Sequence, residues 1–305
     1  MSGVRPVKAG WYNALRPWTL HGAVVPVLIG GAVALHDGSF NVAIFLLVLI
    51  GGCLLQSVAN ILNTYGDFRN GVDTEENETR SPELVTGVLK PESMLRAGIL
   101  LIAVTCLIGL VLIWYSGWGI LVYGVVGIAG AAMYTVGAAY KYMGLGQPFV
   151  FLLMGILMPL GTYYALASQF SWEVLLLSLP NAFLITAVLC GNEMRDHAED
   201  AKAGVRTLCG HLGYGRGMAL YRAESAVAFP LLIALILAGA APACCALALV
   251  SLYDLWVLWR NSSVAEGDKH ASFMLVPLAF KANWHFGVLL VAGYIIQYYA
   301  MPLVI

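Results

Sequence analysis

The chain is short of charge. Asp, Glu, Lys and Arg make up 11% of its 305 residues, while hydrophobic types make up 60%. A water-soluble domain carries roughly 25% charged residues and about 45–50% apolar ones. A globule of this length cannot enclose so much apolar surface, so a soluble enzyme or binding module is excluded and lipid must act as part of the solvent. Metal-ligand spacing is also missing from the six cysteines, Cys53, Cys106, Cys190, Cys209, Cys244 and Cys245. Most lie in apolar runs, where Cys packs as a small hydrophobe. Low-complexity tracts and Pro-rich linkers are absent, so one membrane domain over residues 1–305 is expected, with no nucleic-acid partner. No signal peptide is expected either: Arg5, Lys8 and Arg16 precede an apolar run of span length without a cleavage site.

What is present is a series of long apolar runs. A hydrocarbon core of about 30 Å needs roughly 20 apolar residues per helix. Nine spans are predicted, near 18–35, 42–66, 95–114, 118–136, 149–168, 172–193, 217–239, 241–259 and 283–303. The runs do not alternate as barrel strands would, so the expected fold class is all-α: a polytopic membrane protein of nine transmembrane helices around a central cavity. This division puts all sixteen Lys and Arg on one side, in the amino terminus and in the second-to-third, fourth-to-fifth, sixth-to-seventh and eighth-to-ninth loops. The positive-inside rule then predicts a cytoplasmic amino terminus.

The acids cluster. Of seventeen, seven fall between Asp67 and Glu92 and four between Glu193 and Asp200, all on the side predicted to be cytoplasmic. Gln56, Asn60, Asn63 and Asp67 share one helical face, and that helix is predicted to end near Gly71, just before Asp73. Asn192, Asp196 and Asp200 share another face at the end of the sixth span. Asn63-x3-Asp67-x3-Gly71 has the shape of Asp196-x3-Asp200-x3-Gly204, which predicts a weak parallel repeat with two acidic helix ends facing one cavity.

Carboxylates at such spacing repel each other, and a hard divalent cation relieves the repulsion. Mg²⁺ takes carboxylate oxygens and accepts substrate phosphates as further ligands. The candidate ligands are Asn63, Asp67, Asp73, Asp196 and Asp200. Glu75, Glu76 and Glu78 read as solvated loop charges. A diphosphate also needs fixed positive charge, for which Arg16, Arg80, Lys141 and Arg195 are candidates. Asn192 lies on the same acidic face, and Tyr134 and Tyr140 are candidate hydrogen-bond donors. His197 adjoins Asp196 but points about 100° away from it on a helix.

These residues carry a family resemblance. Asn63-x3-Asp67-x5-Asp73 and Asp196-x3-Asp200 resemble the two aspartate-rich motifs of the UbiA superfamily of membrane prenyltransferases. The branch most resembled is that of the 1,4-dihydroxy-2-naphthoate polyprenyltransferases of menaquinone biosynthesis. Leu15-Arg16-Pro17-Trp18-Thr19-Leu20, Tyr134-Thr135-x9-Leu145-Gly146 and Asn192-x2-Arg195-Asp196-x3-Asp200-x3-Gly204-x2-Thr207-Leu208 are similar to that branch. Thr64, Gln147 and the stretch Gly137-Ala138-Ala139 depart from it, standing where Asp, an acid and a Pro are common.

The resemblance implies Mg²⁺-dependent ionisation of a polyprenyl diphosphate and alkylation of an aromatic acceptor, in that branch with loss of the ring carboxylate. Asp67, Asp73, Asp196 and Asp200 are then the expected catalytic acids. The setting implied is a multi-pass protein of a prokaryotic plasma membrane, with lipid around it and its site facing the cytoplasm. Other readings stay open: a different acceptor such as 4-hydroxybenzoate, a membrane terpene cyclase of the same superfamily, or a cation-coupled transporter. A transporter would place its acids near the bilayer midplane.

Overall fold

The computed structural model describes residues 9–75 and 81–299, and all their regular structure is helical. The helices are α1 (Trp11–His36), α2 (Val42–Arg69), α3 (Pro91–Ser116), α4 (Ile120–Ala132), α5 (Gly146–Ala167), α6 (Trp172–Arg195), α7 (Tyr214–Leu237), α8 (Ala243–Ser262) and α9 (Lys269–Tyr299). Eight of them are long and apolar enough to cross a membrane. The exception is α4. Its 13 residues span about 20 Å at 1.5 Å per residue, short of a bilayer core.

The fourth expected span ends early because the chain after it turns back. Gly137 and Ala139 take positive φ, 68° and 48°. The peptide N–H groups of Tyr140 and Lys141 then donate to the carbonyls of Met133 and Tyr134, at 3.3 and 3.0 Å. The ninth expected span, by contrast, starts early. Asp268 caps α9 by accepting from the N–H groups of His270 and Ala271, at 2.7 and 3.0 Å. Pro277 and Lys281 interrupt the apolar run but not the helix, so Lys281 lies inside α9 and not in a loop.

α6 is the centre of the bundle and packs on α5, α7 and α9. Within its most apolar 18-residue window 72% of residues are buried, against 17% in α3, which therefore faces lipid. Close contact relies on small residues, as is usual where no water drives helices together. At Gly287 of α9 an added methyl would overlap Val25 of α1. Trp114, Trp118 and Trp172 stand exposed at helix ends. Such positions suit an indole at the level of lipid headgroups.

Candidate active site

α2 and the chain after α6 end in the same backbone motif. Gly71 has φ 72°, its N–H donates to the Phe68 carbonyl at 3.2 Å, and the Val72 N–H donates to the Asp67 carbonyl at 2.8 Å. Gly204 also has φ 72°, with its N–H on the Ala201 carbonyl at 3.2 Å and the Val205 N–H on the Asp200 carbonyl at 2.9 Å. Both are Schellman caps, which need a left-handed residue that glycine supplies without strain. Asp67 and Asp200 hold the same cap position, three residues inside the helix end. The sequence repeat is thus a repeat of geometry.

One expectation is modified here. α6 does not run on to Asp200; it stops at Arg195, bends at Asp196 and resumes as a short helix, His197–Lys202. The i→i−4 bonds survive the bend. The Asp196 N–H reaches the Asn192 carbonyl at 3.0 Å, and the Asp200 N–H reaches that of Asp196 at 2.8 Å. His197 turns its ring edge to Tyr214, with centroids 5.6 Å apart, and takes no part in the acidic face.

The two acidic ends meet through the loop after α4. Lys141 donates to both oxygens of Asp67, at 2.9 and 2.8 Å, and the Tyr142 hydroxyl donates to Oδ1 at 2.7 Å. Burial opposes the Lys141 charge, but Asp67 and Asp200 together outweigh it and hold its pKa above the ordinary value. Asp200 is itself buried, and this, with Asp196, Asp67 and Glu193 nearby, pushes its carboxyl up to about 7 against the pull of Lys141. Arg195 chelates Asp196 through Nε and Nη2, at 2.7 and 2.5 Å, and also donates to Asn192 Oδ1 at 2.6 Å. The Asp73 N–H donates to the Asp67 carbonyl at 3.2 Å. Among the described residues no three His, Cys, Asp or Glu close on a single metal position. Lys141 and Arg195 hold the carboxylates of Asp67 and Asp196 instead.

Beside this cluster lies a cavity of about 860 Å³. Of the residues expected at the site, Arg16, Asn63, Tyr134, Tyr140, Asn192 and Arg195 line it; Asp67, Asp73, Lys141, Asp196 and Asp200 are not part of that lining. Arg80 lies outside the described residues. Asn63 Oδ1 is buried with no hydrogen-bond partner, an orphan acceptor that calls for a ligand. Burial raises the Tyr134 phenol well above its ordinary pKa, so it stays a donor. Tyr140 has another use: its hydroxyl donates to the Gly130 carbonyl at 2.8 Å.

Several contacts that matter here, and the α9 side of the cavity, were not legible in the sequence. Asn60 donates to the Leu15 carbonyl and to Thr19 Oγ1, both at 2.9 Å. Thr19 in turn donates to the Arg16 carbonyl at 2.8 Å. This clamp holds Arg16 at φ 49°, a conformation L-residues avoid, and so presents its guanidinium to the cavity. His21, Phe280, Lys281 and Trp284 also line the cavity. The signal for α9 was the spacing of Phe273, Val276, Pro277, Phe280 and Trp284, which is helical and begins before residue 283.

The departures from the family pattern have physical readings. Gln147 Nε2 donates to Glu193 Oε2 at 2.9 Å within the core, where an acid would oppose a second carboxylate. Gly137 and Ala139 have positive φ, which proline cannot adopt. The Thr64 hydroxyl is buried and bonded back to the Asn60 carbonyl at 3.2 Å.

Comparison with known proteins agrees with this geometry. The model of the UbiA prenyltransferase family matches residues 23–287. The chain belongs to that family. It is therefore an integral, multi-pass membrane prenyltransferase. It is 30% identical over 231 residues to the 1,4-dihydroxy-2-naphthoate octaprenyltransferase of Bacillus subtilis, covering 75% of this chain and 74% of the relative. It is 34% identical over 210 residues to the enzyme of that name from Escherichia coli, covering 67% and 68%. A UbiA homologue from Aeropyrum pernix K1 superposes with a TM-score of 0.68 at 18% identity, over 92% of this chain and 97% of the other. A homologue from Archaeoglobus fulgidus bound to GPP and Mg²⁺ superposes with a TM-score of 0.65 at 14% identity, over 92% and 99%. At such identities the likeness to the solved structures is one of fold.

Proposed function

We propose that residues 1–305 act as one domain that moves a polyprenyl group from its diphosphate to 1,4-dihydroxy-2-naphthoate. The ring carboxylate leaves as carbon dioxide and the diphosphate leaves with its charge, giving demethylmenaquinol, the reduced form of demethylmenaquinone, for menaquinone biosynthesis. The site would face the cytoplasm of a prokaryotic plasma membrane. The observation that carries this reading is the junction of an apolar cavity of about 860 Å³ with two duplicated acidic helix ends. An isoprenoid tail needs the first and a leaving diphosphate needs the second. The relatives named for the naphthoate reaction support the choice of acceptor.

The residues present fit a hard divalent cation. Asn63 offers an unpartnered buried carbonyl oxygen, and the remaining donors are carboxylates, the ligand set of Mg²⁺. Asn63, Asp67, Asp73, Asp196 and Asp200 would hold it. Bound there, Mg²⁺ supplies Lewis acidity toward the diphosphate oxygens. Arg16 and Arg195 line the cavity and take up charge that grows on the leaving diphosphate. Asn192 fixes the Arg195 fork, and Tyr134 remains a donor. Lys141 holds Asp67 in place through both carboxylate oxygens. Arg80 joins this set from its sequence position alone. The apolar lining, with Leu55, Val150, Leu153 and Met154, excludes water from the allylic cation. The dihydroxylated ring is electron-rich enough to attack that cation without a strong base.

Purified protein with Mg²⁺, radiolabelled polyprenyl diphosphate and equal concentrations of 1,4-dihydroxy-2-naphthoate and 4-hydroxybenzoate tests the reading. Prenylated naphthoquinol with release of carbon dioxide is expected. Exclusive prenylation of 4-hydroxybenzoate overturns the acceptor, and a cyclic hydrocarbon formed with neither acceptor present overturns the transfer itself.

A further inference from the structure

Among the described residues, three basic side chains line the cavity, Arg16, Arg195 and Lys281, and no acid does. Two of them belong to the diphosphate end. Arg195 grips Asp196, and Arg16 lies within electrostatic reach of Arg195, Asp67 and Asp73. Lys281 is separate. It sits on α9, twelve residues past Lys269, which is about 18 Å of helix. Its ammonium is 3.2 Å from Asp254 Oδ1, and His285 Nδ1 lies 2.7 Å from Asp254 Oδ2.

Asp254 is buried in the bundle, while Lys281 and His285 are each about half exposed, at 48% and 45%. Ionisable groups within spanning helices are costly and need a use. The diphosphate chemistry gives these none. Nor is the cluster a closed structural pair. A Lys ammonium has three donors; Asp254 takes one direction, and the cavity is open to the rest.

Depth separates this group from the diphosphate end. Ile185 of α6 and Phe280 of α9 both close on Gly22 of α1, so they lie at one level. Ile185 precedes Asn192 by seven residues, which puts that level about 10 Å deeper than Asn192 along α6. Aromatic rings gather there. Phe280 packs on His21 with centroids 4.4 Å apart, and Trp284 packs edge-on to His21 at 5.9 Å. All three line the cavity. A planar ring bearing a carboxylate matches this wall, with aromatic faces to stack on and one cation beside them.

We propose that Lys281, positioned by Asp254, binds the carboxylate of the aromatic acceptor, which stacks on the wall formed by His21, Phe280 and Trp284. This rests on the reading of the chain as a prenyltransferase acting on an aromatic acid. Arg16 and Arg195 then serve the diphosphate, and Lys281 distinguishes an acid from the same ring without one. His285 orients Asp254 from the other side.

The test compares 1,4-dihydroxy-2-naphthoate with naphthalene-1,4-diol, which keeps the ring and loses the carboxylate. In Lys281→Met the KM for the acid should rise about thirtyfold, the worth of one charge-assisted hydrogen bond. The KM for the diol and binding of radiolabelled geranyl diphosphate with Mg²⁺ should stay within about twofold of wild type, the margin expected where no contact is lost. Lys281→Arg should recover most of the preference for the acid. If Lys281→Met does not fold, Asp254→Asn/Lys281→Met removes both charges together and should lose the same preference. An unchanged KM for the acid in a folded variant overturns this assignment alone. Wild-type protein that binds geranyl diphosphate but neither ring overturns the assignment together with the reading beneath it.

Discussion

Lys141 holds Asp67 by both carboxylate oxygens, at 2.9 and 2.8 Å, in a pair whose side chains are 10% and 8% exposed. The pair fastens the loop after α4 to the end of α2. Removing one partner of such a buried pair strands a charge and costs about 3–5 kcal/mol, more than removing both. Lys141→Met should therefore melt well below wild type in detergent, and Asp67→Asn/Lys141→Met should regain part of that loss. A double variant no more stable than Lys141→Met would show that the pair does not act as a unit.

The acids should matter unequally. Asp67→Asn, Asp196→Asn and Asp200→Asn each remove a charge from a site that stabilises charge. Each should lower kcat at least about a hundredfold, and chelator should abolish turnover in wild type. Glu75 is exposed on the loop after Asp73, and Glu75→Gln should leave kcat within about twofold, as a surface change does. Near-normal turnover in any two of the three Asp variants would end the metal-site reading.

Burial sets a pH dependence. The Asp200 carboxyl is pushed up from 3.8 to about 7, so in the ligand-free protein it keeps its proton below that value. The raised pKa favours folding fully below 3.8, and this contribution is lost as pH rises toward 7. Binding of a divalent cation runs the other way, because the ligand must be ionised. Mg²⁺ affinity, read by calorimetry, should fall up to about tenfold for each pH unit below about 7. Asp200→Asn should bind more weakly and lose that slope; an unchanged slope would assign the proton to another group.

Topology has a test free of chemistry. Asp37 and Lys202 are both exposed, and the span count puts them on opposite sides. In a cysteine-free background, Lys202→Cys should react with impermeant reagent only from the cytoplasmic side, and Asp37→Cys only from outside. Both reacting from one side would refute the predicted orientation.

Much of this was legible from residues alone, and the parts that were not share a cause. The acidic ends showed because Asn, Asp and Gly recur at helical spacing beside apolar runs. The pairing of Asp67 with Lys141 did not, because it depends on a loop fold set by two left-handed residues, Gly137 and Ala139. Asn60 was read as one more polar group on the face of α2, yet its bonds run to the backbone of α1. Lys281 was assigned to a loop because Pro277 breaks the apolar run that marks a span, while the capped helix passes straight through it.

Gln147 tests how far the family pattern can be restored. Its amide donates to Glu193 Oε2 at 2.9 Å, and the same oxygen accepts from the Cys209 N–H at 3.0 Å. Both side chains are buried. Gln147→Glu would replace the donor with a second carboxylate and leave Glu193 short of a partner, a change worth about 1–3 kcal/mol or more when charged groups are involved. Gln147→Glu/Glu193→Gln reverses the pair. The amide introduced at position 193 then donates to the carboxylate introduced at position 147, and its carbonyl oxygen still accepts from the Cys209 N–H. The single variant should melt several degrees below wild type, and the double variant should recover most of that difference. Recovery would show that position 147 is free to carry an acid only when position 193 gives one up. A double variant as weak as Gln147→Glu would instead mean that Glu193 is held by its own charge, through its neighbour Lys141, and not by the bond to Gln147.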